Sequence, residues 1–189
     1  MRKGARYNLP FKRRYEGKTN YRKRLSMLYS KQLRLVVRKS ANQIKAQIVK
    51  FKPSGDETLI YASTSDLKKF GWGSAINNMP SAYLLGLLVG KKALKQKIDS
   101  AILDMGLQRN IKGSKLYAVL RGALDAGLKI PHNPEILPSE DRIKGKHITE
   151  YAEKLKKEDT TKYKKHFSLS QPEKLSENFE KVKNNIVKG

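Results

Sequence analysis

LRLVVRKSANQIKAQIVKF, residues 33–51, alternates apolar and polar side chains twice. Leu33, Leu35 and Val37 fall on one side, with Arg34, Val36 and Arg38 on the other. After the linker SANQ, Ile44, Ala46 and Ile48 alternate with Lys45, Gln47 and Val49. A period of two marks a strand, and a short polar link between two such runs predicts an antiparallel hairpin. Arg34, Arg38, Lys39 and Lys45 would lie close together on it, and neither run contains an acid. An ordinary solvated face mixes signs, so this one is expected to bind an anion.

Moving outward towards the C-terminus, PSGDE (53–57) reads as a turn and TLIYAST (58–64) as a third strand. The period then changes. After Asn77, Asn78 and Pro80, the run SAYLLGLLVGKKALKQK (81–97) places Ala82, Leu85, Val89 and Ala93 on one helical face. Leu84, Leu87, Leu88 and Leu94 widen that face, which predicts a helix packed deeply on the sheet. GLLVGKK (86–92) has neither the spacing nor the Ser/Thr of a phosphate loop. Its glycines, four apart in a helical pattern, are read as allowing close packing against the sheet. SAILDMG (100–106) is a fourth strand, and KGSKLYAVLRGALDAGL (112–128) is a second helix with Ser114 as cap and Gly127 as stop. The β-β-β-α-β-α order predicts an α/β domain with a mixed sheet over residues 25–130, in two or three layers. Residues 131–147 are read as an irregular proline-rich connection. Residues 148–189 are read as a helical extension with surface helices at 148–158 and 171–186, the second opened by a Ser170–Glu173 capping box.

Moving outward towards the N-terminus, charge dominates. Of 41 Lys/Arg and 17 Asp/Glu in the 189-residue chain, residues 1–52 hold 17 bases and one acid. Residues 53–142 hold 12 against 9, and residues 143–189 hold 12 against 7. Two-thirds of the net +24 therefore sits in the first 52 residues. FKRRYEGKTNYRKRL (11–25) is the densest stretch, and residues 1–24 carry no apolar period. They read as an arm that orders on a polyanionic partner, followed by a short helix over 25–32. Counterion release favours such binding and makes it salt-dependent. Tyr7, Tyr15 and Tyr21 lie within the arm, where stacking on nucleotides explains them better than packing does. Gly17, Pro10 and the absence of an apolar face argue against a membrane helix, and AYLLGLLVG (82–90) is too short to span a bilayer. No export signal is visible, which predicts a cytoplasmic protein.

Catalysis finds little support. With no cysteine and three scattered histidines (132, 147 and 166), no metal site or cofactor is expected. The strand order invites a nuclease reading, but two-metal chemistry needs carboxylates on adjacent strands. The first two strands have none, and Asp104 stands alone on the fourth as a strand-end hydrogen-bonding residue. In GWGS (71–74), Trp72 either stacks on a nucleotide or plugs the edge of the core. An RNA-processing enzyme and a protein-docking role, the latter for the C-terminal helices, are the competing classes.

Six stretches in order, FKRRYEGKTNYRKRL, RLVVRKSANQIKAQIV, GDETLIYASTSDLKKFGW, PSAYLLGLLVGKKAL, GALDAGLKIPH and PSEDRIKGKHITEYA, carry a resemblance over about residues 5–155. The chain resembles the L-eighteen family of large-subunit ribosomal proteins in its archaeal and eukaryotic form. That resemblance implies a ribonuclease-H-like topology without catalytic acids, a basic arm and no enzymatic activity. It implies binding to 5S rRNA and to large-subunit rRNA in the central protuberance, beside neighbouring ribosomal proteins. Carried onto this sequence, the RNA-holding residues are Lys12, Arg13, Arg14, Lys18, Thr19, Tyr21, Arg22, Lys23 and Arg24 of the arm. Arg38, Lys39, Ser40 and Asn42 at the hairpin turn come second, and Trp72 third.

Overall fold

A computed structural model describes residues 4, 7–167 and 172–188. In chain order the elements are α1 (Lys12–Tyr15), α2 (Tyr21–Leu28), β1 (Arg34–Lys39), β2 (Ile44–Lys50), β3 (Glu57–Ser63), α3 (Met79–Lys95), β4 (Ile102–Asp104), α4 (Lys115–Asp125), α5 (Glu140–Lys144), α6 (Lys146–Glu158), α7 (Thr160–His166) and α8 (Leu175–Lys188). Short 3-10 turns lie at Thr64–Phe70, Pro134–Ile136 and Pro172–Lys174. The sheet order is β3-β2-β1-β4, with β1–β2 and β2–β3 antiparallel and β1–β4 parallel. The expected mixed α/β architecture is therefore the observed one. Leu35 opposes Ile48 and Val37 opposes Ala46, and all four are fully buried. Alternation fixes this register, because a slip by one residue would send every apolar side chain to the other face.

α3 forms where the period changes. Asn78 caps it, its Oδ1 accepting from the Ser81 N–H at 2.9 Å, while the Ser81 hydroxyl accepts from the Asn78 N–H at 3.1 Å. Nearly every residue from Met79 to Gly90 is buried, because α3 has the sheet, α4 and α8 around it. The glycines of α3 face α4 and not the sheet, correcting the sequence reading. A Cβ on Gly86 would lie 2.0 Å from the Val119 carbonyl oxygen, and one on Gly122 would lie 2.1 Å from that of Tyr83. The two helices thus touch backbone to backbone at a reciprocal pair of glycines. Tyr83 donates to Asp125 at 2.7 Å across the same contact. Ser114 occupies the N-cap of α4, but its hydroxyl caps nothing.

The chain beyond residue 131 is more ordered and more involved in the core than its composition indicates. α5 and a 3-10 turn interrupt the connection expected to be irregular. α7, with the polar sequence TTKYKKH, has no apolar period and escaped the sequence reading. α8 lies at the surface, as expected, but buries one face in the main core. Leu175, Phe179, Val182 and Ile186 are each at most 2 % exposed and join the main core. Phe179 packs on Tyr83, ring centroids 5.6 Å apart. Ser170, the expected cap, lies outside the described residues, and the 3-10 turn at Pro172–Lys174 precedes the helix.

Candidate nucleic-acid interface

The helices α3 and α4 cover one face of the sheet, and α2 lies over part of the other. Between α2, the sheet and the loop after β4 is a cleft of about 1230 Å³. Its walls carry Arg13, Lys18, Arg22, Lys23 and Arg109, and its floor carries Arg34, Val36, Arg38, Gln47 and Val49. α2 starts where Asn20 caps it, the Asn20 Oδ1 accepting from the Lys23 N–H at 3.1 Å. It has no fully buried residue. α1 presents Lys12, Arg13 and Arg14 to solvent; Arg13 Nε donates to Thr19 Oγ1 at 2.9 Å, and Tyr21 packs on Phe11 with centroids 5.2 Å apart. Among the described residues, Arg14, Arg22 and Lys23 have no acidic partner, whereas Lys18 pairs with Glu16 at 2.9 Å.

Two carboxylates organise the floor. Asp104 accepts from Arg34 at 3.0 Å, from Arg38 at 2.9 Å and from the Gly106 N–H at 2.8 Å. Asp56 accepts from Arg34 at 2.6 Å and from both terminal nitrogens of Arg24 at 2.7 and 2.8 Å. This chain of charge-assisted bonds ties α2 to the β2–β3 turn and across to β4. The Arg24 hydrogen bond holds the Asp56 carboxyl below its usual range, with Arg34 adding and burial opposing. Asp56 in turn raises the Arg24 guanidinium. Arg34 is only 2 % exposed, and its Nε–H is buried without an acceptor among the described residues. The expectation of an acid-free basic hairpin face is thus corrected for Arg34 and Arg38: their acids come from β4 and the β2–β3 turn, distant in sequence.

The hairpin turn is held from below. Ser40 Oγ donates to the Gln43 carbonyl at 2.8 Å, and the Asn77 side-chain amide donates to the carbonyls of Ser40 and Ala41. Lys115 donates to the Asn77 carbonyl at 2.6 Å. Burial, and then the charge of Lys39, lowers the Lys115 ammonium. Lys39, Ser40 and Asn42 are exposed beside this scaffold. Trp72 is not. At 2 % exposure it sits in the core, its Nε1 donating to the Ala75 carbonyl at 3.1 Å, so the plug reading holds and the stacking expectation is withdrawn. Lys12, Arg13, Arg14, Lys18, Thr19, Tyr21, Arg22, Lys23 and Arg24 gather along the α1–α2 side, with Arg38 on the adjoining floor. Sequence reasoning missed Gln108, Arg109 and Asn110, which follow β4 and close the far wall. Nothing local marks them; only the parallel pairing of β4 with β1 brings them there.

Among the described residues no cluster of His, Asp or Glu could hold a metal ion, and no helix is long and apolar enough to cross a membrane. The fold and the charge together define a mixed α/β protein with one strongly cationic face. Residues 5–101 and 95–133 match the family described as ribosomal large subunit proteins 60S L5 and 50S L18. The chain belongs to that family. It is accordingly a structural constituent of the large subunit of the cytoplasmic ribosome, with ribosomal RNA and other ribosomal proteins as its partners, and it is not an enzyme. α5 to α8 follow the last matched residue.

Proposed function

We propose that this chain binds 5S rRNA and helps fasten it to the large-subunit rRNA in the central protuberance. The observation that carries the reading is the gathering of arm cations Arg13, Lys18, Arg22 and Lys23 at one cleft, whose wall of Gln108 and Arg109 also borders Lys39 of the hairpin turn. Lys12, Arg13, Arg14, Lys18, Thr19, Tyr21, Arg22, Lys23 and Arg24 supply phosphate contacts and stacking from the arm, which we delimit as residues 1–24 although α2 runs through its end. Arg38, Lys39, Ser40 and Asn42 extend that surface from the core domain, residues 25–130. Structured RNA offers shape, phosphates and unpaired bases, which suits a concave basic surface with no base-reading helix. Neighbouring ribosomal proteins are assigned to the helical extension, residues 148–189, where Tyr151 is half exposed and packs with Phe167, centroids 6.5 Å apart.

A gel shift with 5S rRNA at near-physiological salt, competed by tRNA and by a shuffled RNA of equal length, tests the reading. Survival of the 5S complex against both competitors supports it; equal competition by all three RNAs overturns it. Replacing Arg13, Arg14 and Arg22 with alanine should also flatten the salt dependence. Three lost phosphate contacts correspond to about two to three units of slope, at roughly 0.7–0.9 per contact. Arg24 is a poorer probe, since Asp56 already neutralises it. An unchanged slope would move the arm's role to protein contacts.

A further inference from the structure

The face of the sheet turned towards the cleft carries a row that crosses all four strands. Asp104 of β4 pairs in register with Val36 of β1, Val36 with Gln47 of β2, and Gln47 with Tyr61 of β3. Directly opposed residues share a face, with Cβ atoms about 4.5–5.5 Å apart. The Asp104 end of the row is saturated by Arg34 and Arg38. The other end is not. The Gln47 side chain is bonded to no described residue, nor is the Tyr61 hydroxyl, and Tyr61 is 45 % exposed. A half-exposed aromatic in mid-strand, beside an amide with no partner, is an unusual thing to leave on a sheet face. Both groups can donate to a phosphate, but neither is charged, so neither neutralises one. A ring offers a stacking surface, and an amide offers one donor and one acceptor in a plane, which is what a base presents in return.

We propose that this row is a base-reading surface: an unpaired base of the bound RNA stacks on Tyr61, and its edge meets the Gln47 amide. This deepens the function proposed above and rests on it. Adenine is the best match, because a glutamine amide pairs bidentately with its N6 and N7. The base must be unpaired, since the edges in an A-form duplex lie in a groove too deep and narrow for side chains. Phosphates flanking such a nucleotide fall to the cations bordering the row. Arg38 is paired in register with Lys45 on one side, and the Arg22 and Arg109 walls stand across the cleft. A protein ligand is the competing occupant of an exposed sheet face, but the cations Arg22, Lys23 and Arg109 that wall the adjoining cleft favour RNA.

The test uses the full-length chain with 5S rRNA and the variants Gln47→Ala, Tyr61→Ala and Tyr61→Leu. Tyr61→Leu keeps apolar bulk on the strand and removes only the stacking face, so it answers the question if Tyr61→Ala fails to fold. Each variant is compared at an unchanged thermal midpoint. We expect each substitution to weaken binding roughly tenfold, the scale of one stacked or bidentately read base. The salt slope should stay that of the wild type, and Tyr61→Phe should restore affinity. Diethyl pyrocarbonate probing should show one adenine N7 protected by the wild type and exposed with Gln47→Ala. Affinities within twofold of wild type, or a loss that comes with a flattened slope, overturn the inference. Preference for 5S over shuffled RNA separates the two claims. If the wild type keeps that preference while the variants are neutral, only this inference falls; if the wild type lacks it, the function reading falls and takes the inference with it.

Discussion

At Asp104 two arginines meet one carboxylate that is itself 4 % exposed. A charge that deep is tolerated because both oxygens are engaged, and Arg34 is held in turn at its two terminal nitrogens by Asp104 and Asp56. Breaking such a set from one side leaves the other side buried and uncompensated. Asp104→Ala is therefore expected to cost about 3–5 kcal/mol, read as a lower midpoint in urea with two-state behaviour retained. Asp56 gives a complementary pH signature. Its folded-state carboxyl is held below the ordinary aspartate value of 3.8, so it contributes stability that is present above that value and is lost as pH falls through the folded one. Stability measured from pH 6 downwards should fall on this account, and Asp56→Asn should flatten that acid limb. An identical limb in the variant would mean that other carboxylates carry the acid sensitivity. The sequence marks Asp104 as a strand-end hydrogen-bonding residue, as observed, but not its partners. Arg34 and Asp104 are 70 positions apart, and nothing in the local pattern of either strand announces the partner.

At the scale of elements, the contact between α3 and α4 depends on what is missing from it. A methyl group at Gly86 would have to displace the backbone of α4, not the end of a flexible side chain. Gly86→Ala should therefore exceed the roughly 1–3 kcal/mol of ordinary overpacking, and thermal melting should show a large loss or no folded protein. Helix propensity alone would predict the opposite sign, since alanine favours a helix by about 1 kcal/mol over glycine. The glycine spacing was legible, but its target was not, because periodicity identifies a face and leaves the partner open. α8 makes the same point. Leu175, Phe179, Val182 and Ile186 form a readable stripe, yet the mixed charges around them suggested a solvated helix. Its place is set by the flank of α3 around Tyr83, on which Phe179 packs and which no local window contains. The hairpin was read correctly because both partners of each pair lie within one short stretch. β4 was found but overextended: three residues pair with β1, and Ser100 meets Lys129 in a separate bridge.

For the whole molecule, the net charge of +24 acts in two directions. Without RNA the like charges repel, so added salt should raise the thermal midpoint of the free chain by screening them. With RNA bound, added salt should lower the midpoint of the complex, because counterion release is what drives association. Melting curves at rising potassium chloride, with and without 5S rRNA, should therefore converge; parallel curves would show that binding is not electrostatic. The cationic excess and its N-terminal bias were fully legible from composition. Its internal compensation was not. That compensation has a consequence for the life of the protein before assembly. Arg24, Arg34 and Arg38 already hold carboxylates, so a polyanion gains less from each of them than from Arg14, Arg22 or Lys23. The charge that an arbitrary nucleic acid finds unengaged is therefore smaller than the number of Lys and Arg in the chain.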